Sequence, residues 1–137
     1  MVVSGRPGEK DLSPAIGERV EAFNGSPFAR LMGLEITEVW HRGARVTMSP
    51  SGKENPHGVI HGGAIFSLAD QAFAIAANQE EIQVATSVYI TFMTPATGPL
   101  EAVAEFLGET ERTALYRVTV REGNRLVASF EGVTFRK

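Results

Sequence analysis

The run Asn55, Pro56, His57, Gly58, Val59, Ile60, His61, Gly62, Gly63, followed by Leu68, Ala69 and Asp70, holds the residue types with which this chain could do chemistry. Two glycines at a loop-to-helix junction let a ligand approach bare backbone, and the first amides of a helix have no partner of their own. Such amides, with the helix dipole behind them, bind negative charge, and a carbonyl oxygen turning into an oxyanion is one such charge. Asp70 is the second element. Its neighbours Ile65, Phe66, Leu68, Ala69, Ala72 and Phe73 are all apolar, and a carboxylate among apolar groups is costly unless paired or hydrogen-bonded. General base or nucleophile is the sharper reading; the blander one is a polar position facing a water-filled groove or a partner subunit.

Helix rise then imposes a constraint. Gly62 and Asp70 are eight residues apart, roughly 12 Å along a helix axis at about 1.5 Å per residue. Within one chain they cannot both touch a single carbonyl. Two such helices packed antiparallel across a two-fold axis bring the amides of one chain beside the Asp of the other, twice over. Function on this reading demands a homo-oligomer with shared sites.

The elements that must position these groups are legible from pattern. Residues 1 to 12 carry Gly5, Pro7 and Gly8 and read as a loose tail. Ser13 and Pro14 are expected to open a short helix to Phe23, and Ser26 and Pro27 a second turn of helix through Phe28 and Leu31, ended by Gly33. Leu34 to Trp40 and Ala44 to Met48 alternate around a His41, Arg42, Gly43 turn, a hairpin signal. Ser49 to Gly63 is a Pro- and Gly-rich loop, the kind of segment where sites sit. Ala64 to Ala77 is free of Gly and Pro and apolar nearly all round, the pattern of a central helix enclosed by other structure. Val84 to Met93, Leu100 to Leu107, Thr113 to Val120 and, after a Gly123, Asn124 turn, Arg125 to Phe135 read as strands of a mostly antiparallel sheet. The order predicts an α+β fold, one long helix wrapped by a curved sheet.

Composition excludes several classes. The chain has 137 residues, 43% of them hydrophobic and 21% charged, the make-up of one folded domain. With 13 Lys and Arg against 16 Asp and Glu it lacks the basic excess of a nucleic-acid binder. Absence of cysteine excludes disulfides, thiolate zinc sites and a cysteine nucleophile. No run of residues is long and apolar enough for a membrane span, and no secretory leader is evident, so a cytoplasmic protein is expected.

Residues 55–78 resemble the signature of the hotdog-fold acyl-CoA thioesterases of the phenylacetate-degradation PaaI type, on Asn55, His61-Gly62-Gly63 and Asp70 at their spacing. The likeness continues to Phe92, Met93, Thr94 and Pro95 and weakly on to the C-terminus. It implies a hotdog domain over residues 26–137, preceded by a flexible segment, 1–25, able to carry a short helix. It implies further that Asp70 is the catalytic carboxylate, that the Gly62 amide serves the thioester oxygen, and that Asn55 orients the carbonyl or the water. His61 would steady the loop, and Gly63 and Thr86 would contact substrate, although Ala85 is an equal candidate for the position of Thr86. The implied reaction is hydrolysis of an acyl-CoA, aromatic (phenylacetyl-like) or medium-chain, to coenzyme A and a carboxylic acid by a dimer or tetramer. The alternative is a hotdog module that binds acyl-CoA without cleaving it. Hotdog hydratases carry a His five positions after the Asp, where this chain has Ile75.

No cofactor or metal is expected. His57 and His61 have the spacing of helical zinc ligands, but Pro56 and Gly58 disfavour helix there and no Glu lies between them. His41 is expected to be exposed in its turn. Ser67 lies outside any nucleophile elbow, and the glycine pair matches neither a dinucleotide nor a P-loop pattern. The Arg and Glu residues between Glu109 and Lys137 alternate as solvated strand faces do.

Overall fold

Alternation of small or branched apolar residues with polar ones makes the long strands. A computed structural model describes residues 2–3 and 11–136. In chain order they form β1 (Val2–Val3), α1 (Ile16–Asn24), α2 (Pro27–Met32), β2 (Leu34–Trp40), β3 (Gly43–Met48), α3 (Gly62–Ala77), β4 (Gln83–Phe92), β5 (Leu100–Glu109), β6 (Thr113–Glu122) and β7 (Arg125–Arg136). The sheet order is β1-β2-β3-β5-β6-β7-β4, antiparallel throughout except that β1 runs parallel to β2. One long helix against a mostly antiparallel sheet is the hotdog architecture that the resemblance implies.

The core lies between α3 and the inner face of β3, β5, β6 and β7. Leu68, Ala72, Phe73 and Ile75 from the helix meet Val46, Ala102, Tyr116, Val118 and Phe130 from the strands, all buried. Phe73 makes an edge contact with Tyr116 and a tilted one with Phe130, at centroid distances of 5.8 and 5.5 Å. Burial pushes the Tyr116 hydroxyl up to about 12, so it stays neutral. Arg and Glu residues of the strands pair across the sheet, as between Arg117 and Glu131 (2.8 Å) and between Arg136 and Glu109 (3.2 Å).

Three features differ from the pattern reading. The first helix begins at Ile16 rather than Pro14, and no side chain caps it: Ser13 and Pro14 form the turn before it, with Ser13 Oγ accepting from the Ala15 amide. By contrast, Ser26 caps α2 through the Ala29 amide, and Gly33, at φ 66°, closes it in the left-handed conformation expected of a C-terminal glycine. Of the expected loose tail, Val2 and Val3 pair with Glu38 and Val39, while residues 1 and 4–10 lie outside the described residues.

The third difference bears on function. Helix α3 is not enclosed on every side: Gly63, Phe66, Ser67, Asp70, Gln71 and Ala74 form an incompletely buried stripe. These positions recur at three- and four-residue intervals, so they share one face. The apolar character all round the helix concealed the stripe, because Phe66 and Ala74 belong to it. Beside it in the fold β4 is an edge strand, with Val84, Tyr89 and Phe92 exposed. Among the described residues no helix is long and apolar enough to cross a membrane.

Candidate active site

The loop before α3 is folded on itself by Asn55. Its Oδ1 accepts from the amides of His57 (2.9 Å) and Val59 (3.3 Å), while its backbone amide donates to Val59 O and its carbonyl accepts from Gly58. This is the local turn-forming habit of an Asn side chain. It leaves Nδ2 as a donor with no partner among the described residues. The returning strand is fixed by Ile60 N–H to Ala96 O and His61 N–H to Lys53 O, both 2.8 Å.

His61 then decides which helix amide stays open. It is the N-cap, and its Nδ1 accepts from the Gly63 amide at 2.8 Å. Its carbonyl accepts from the amides of Ala64 (2.9 Å) and Ile65 (3.2 Å). Of the first four helical N–H groups, three are therefore bound, and the Gly62 amide alone has no partner among the described residues. Gly63, expected to contact substrate, gives its amide to His61, and a Cβ on it would lie 3.0 Å from the same imidazole. Ser67 Oγ donates to Gly63 O at 2.8 Å and tightens this first turn.

Gly62 is also one of the residues lining an apolar groove of about 270 Å³, with Val59, Ile60, Ile65, Phe92, Met93, Thr94 and Pro95. Phe92 and Met93 are more than half exposed, and the Phe92 ring lies against the Gly62 Cα. A larger hollow between α1 and α2, bordered by Gly17, Val20, Glu21, Asn24, Gly25 and Arg30, contains none of the candidate chemical groups. The sequence pointed to the N-terminal pieces around Phe23, Phe28 and Leu31 as pocket-forming and did not single out these groove walls. Their signal was the apolar flanks of the glycine pair and the strand-end pair Phe92 and Met93, which only the fold brings to Gly62.

Asp70 sits on the open stripe of α3, half-buried, and its carboxylate has no hydrogen-bond or ion-pair partner among the described residues. Burial holds its carboxyl above the usual carboxylate range. Beside it, Gln71 Nε2 donates to Phe23 O, tying α1 to the same face. Thr86 is the extra residue where β4 slips register on β7, since Ala85 pairs with Thr134 and Ser87 with Val133. Its hydroxyl donates to Val133 O at 3.2 Å. Within one chain Asp70 and Gly62 remain about two helical turns apart, as their spacing requires.

The histidines divide. His57 is exposed, while His41, expected to be exposed, has Nδ1 buried without a partner at the turn between β2 and β3. Among the described residues no three His, Cys, Asp or Glu converge as metal ligands would.

Comparison with known proteins gives the family and the fold. The family model of the thioesterase superfamily matches residues 57–129. The acyl-coenzyme A thioesterase PaaI of Escherichia coli K12 is 34% identical over 113 residues, 79% of this chain and 81% of that protein. The solved structure of the E. coli PaaI protein from the phenylacetic acid degradation operon superposes with a TM-score of 0.84 at 30% identity, covering 93% of this chain and 96% of that one. A mutant of the phenylacetic acid degradation protein PaaI from Thermus thermophilus gives 0.79 at 35% identity, covering 82% and 100%.

Proposed function

The chain belongs to the thioesterase superfamily, as a PaaI-type hotdog thioester hydrolase, and from that premise we propose that it hydrolyses acyl-CoA in sites shared between two copies of itself. The single observation that carries the reading is the Gly62 amide, left without a partner at a helix N-terminus, on a residue that lines an apolar groove. A donor fixed in that position stabilises a carbonyl oxygen as it gains charge.

In the proposed reaction the acyl group lies in the groove with its thioester oxygen on Gly62 N–H and Asn55 Nδ2 nearby as a second donor. Asp70 of the other copy takes a proton from water as the water oxygen bonds to the carbonyl carbon. The tetrahedral oxyanion collapses, the carbon–sulfur bond breaks, and the departing thiolate takes up the proton. The alternative use of the same carboxylate is direct attack, giving a mixed anhydride that water opens. Elevation of the Asp70 carboxyl suits either role, because a more basic carboxylate is the better base and nucleophile. His61 acts through the loop, holding Gly63 so that Gly62 is the amide presented.

Support for the shared site comes from the surface of one copy. The open stripe with Phe66 and Asp70 lies near edge strand β4, whose Val84 and Tyr89 are exposed, and an unpaired edge with apolar side chains invites a second chain. The groove's volume and apolar walls favour an aromatic or medium-chain acyl group.

The test is release of thiol from a panel containing acetyl-, octanoyl- and phenylacetyl-CoA, with the native chain and Asp70→Asn. The native chain is expected to release coenzyme A, with kcat lower in the variant by at least about 100-fold. Equal rates would remove Asp70 from the mechanism, and binding without release would favour the non-catalytic acyl-CoA module. An active monomer by light scattering would rule out the shared site.

A further inference from the structure

Part of the groove wall comes from residues 93–99, which join β4 to β5 without regular structure. Thr94 and Pro95 face the groove, and Ala96, fully buried, accepts from the Ile60 amide two residues before Gly62. Where this segment sits therefore affects both the wall and the helix start. Its near end is tied by Met93 N–H to Val127 O at 2.8 Å.

The far end is held by a side chain from the tip of the β6–β7 hairpin. Glu122 Oε2 accepts from the Gly98 amide, and Arg125 Nη2 reaches Glu122 Oε1 at 2.5 Å and Pro95 O at 3.5 Å. A Cβ on Gly98 would lie 2.5 Å from Glu122 Oε2, so the approach depends on a residue without a side chain. Glu122 is only 19% exposed although it sits next to a hairpin turn. An exposed ion pair three residues apart would by itself contribute little; this one also holds two backbone groups of another segment.

We infer that Glu122, helped by Arg125, is a positioning residue for the substrate groove: it clamps the 94–98 segment to the hairpin and so sets the wall and, through Ala96 and Ile60, the approach to Gly62. The inference rests on the groove beside Gly62 being the acyl site. Arg125 first, and then the Gly98 amide, hold the Glu122 carboxyl below its usual range, in keeping with a carboxylate that stays charged.

Glu122→Ala, Glu122→Gln and the native chain are compared with phenylacetyl-CoA and octanoyl-CoA, and amide exchange of residues 94–98 is followed. Loosening a binding wall removes interaction felt equally by substrate and transition state, so KM should rise about tenfold, while kcat, which feels the segment only through Ala96 and Ile60, should change less. The Gly98 amide should exchange faster. Glu122→Gln, which keeps an acceptor for Gly98, should restore most of the affinity, a rescue that general loss of stability would not show. If Glu122→Ala does not fold, the exposed Arg125→Gln carries the test through a smaller rise in KM. Unchanged KM or unchanged Gly98 exchange, with native turnover intact, would overturn the clamp alone. A native chain that turns over neither ester would overturn the acyl-site reading beneath it.

Discussion

At its C-terminal end α3 runs into Asn78 and Gln79, whose side-chain nitrogens and oxygens all have partners, whereas at its N-terminal end the amide of the groove-lining Gly62 is left open. Asn78 Nδ2 donates to Ala74 O, its Oδ1 accepts from the Gln83 amide, and its carbonyl accepts from Arg19. Gln79, buried, donates to Trp40 O and Gly43 O and accepts from the Arg42 amide, fastening the helix to the β2–β3 hairpin. The same helix thus has an end anchored by paired side chains and an end whose first amide is left open. Since buried polar groups are nearly always paired, the open donor of a groove-lining residue is the feature on which the proposed chemistry rests.

The largest effect that could break this contrast is expected from Gly62→Pro. Proline fits the first helical position, where its missing N–H costs the helix nothing, and His61 already has the extended backbone (φ −60°, ψ 137°) that proline demands of its predecessor. The helix should survive by circular dichroism while kcat falls about 100- to 1000-fold, the usual cost of one oxyanion donor. Unchanged kcat would make the open amide incidental.

Gln79→Ala tests the other end. It leaves the Trp40 and Gly43 carbonyls and the Arg42 amide without this partner, and should cost about 2 kcal/mol in urea unfolding while kcat per folded molecule is kept. A large loss of kcat would mean the two ends are not separable.

Asp70 sharpens the comparison through pH. Its carboxyl lies above the usual range in the folded chain because of burial, so the folded state holds that proton more tightly than the unfolded state. The resulting contribution to stability is present below the unfolded value and lost as pH rises through the folded one. Asp70→Asn should therefore be more stable than the native chain at neutral pH, although inactive. Native activity should fall on the acid side as Asp70 protonates. A less stable variant in thermal unfolding would place Asp70 in a structural role instead.

The smallest effect belongs to His61→Ala, which removes the cap on the Gly63 amide. About 1 kcal/mol of stability should be lost, with a modest fall in kcat as a second free amide competes for the oxyanion; a loss like that of Asp70→Asn would make His61 a participant in the chemistry.

Much of this was legible in order along the chain. The strands from Leu34 onward, the hairpin turns, the Ser26–Gly33 helix and the glycine junction followed from periods of two and 3.6 residues and from local capping, all read over a few neighbours. Ser13 misled because its hydroxyl bonds within the turn before α1 rather than capping the helix. The enclosed helix misled because a stripe of Gly, Phe, Ser and Ala carries no polar signal strong enough to mark a face that one copy leaves open.

The sequence by itself determined the types and spacing of the groups: an Asp eight residues beyond a glycine, too far along one helix to share a carbonyl with it. Only the tertiary structure decided what walls the groove and what holds the wall. Those depend on contacts between residues distant in sequence, Ile60 with Ala96, Phe92 with Gly62, Glu122 with Gly98. Periodicity reports which way a side chain points from its own element, and carries no record of which other element it will meet.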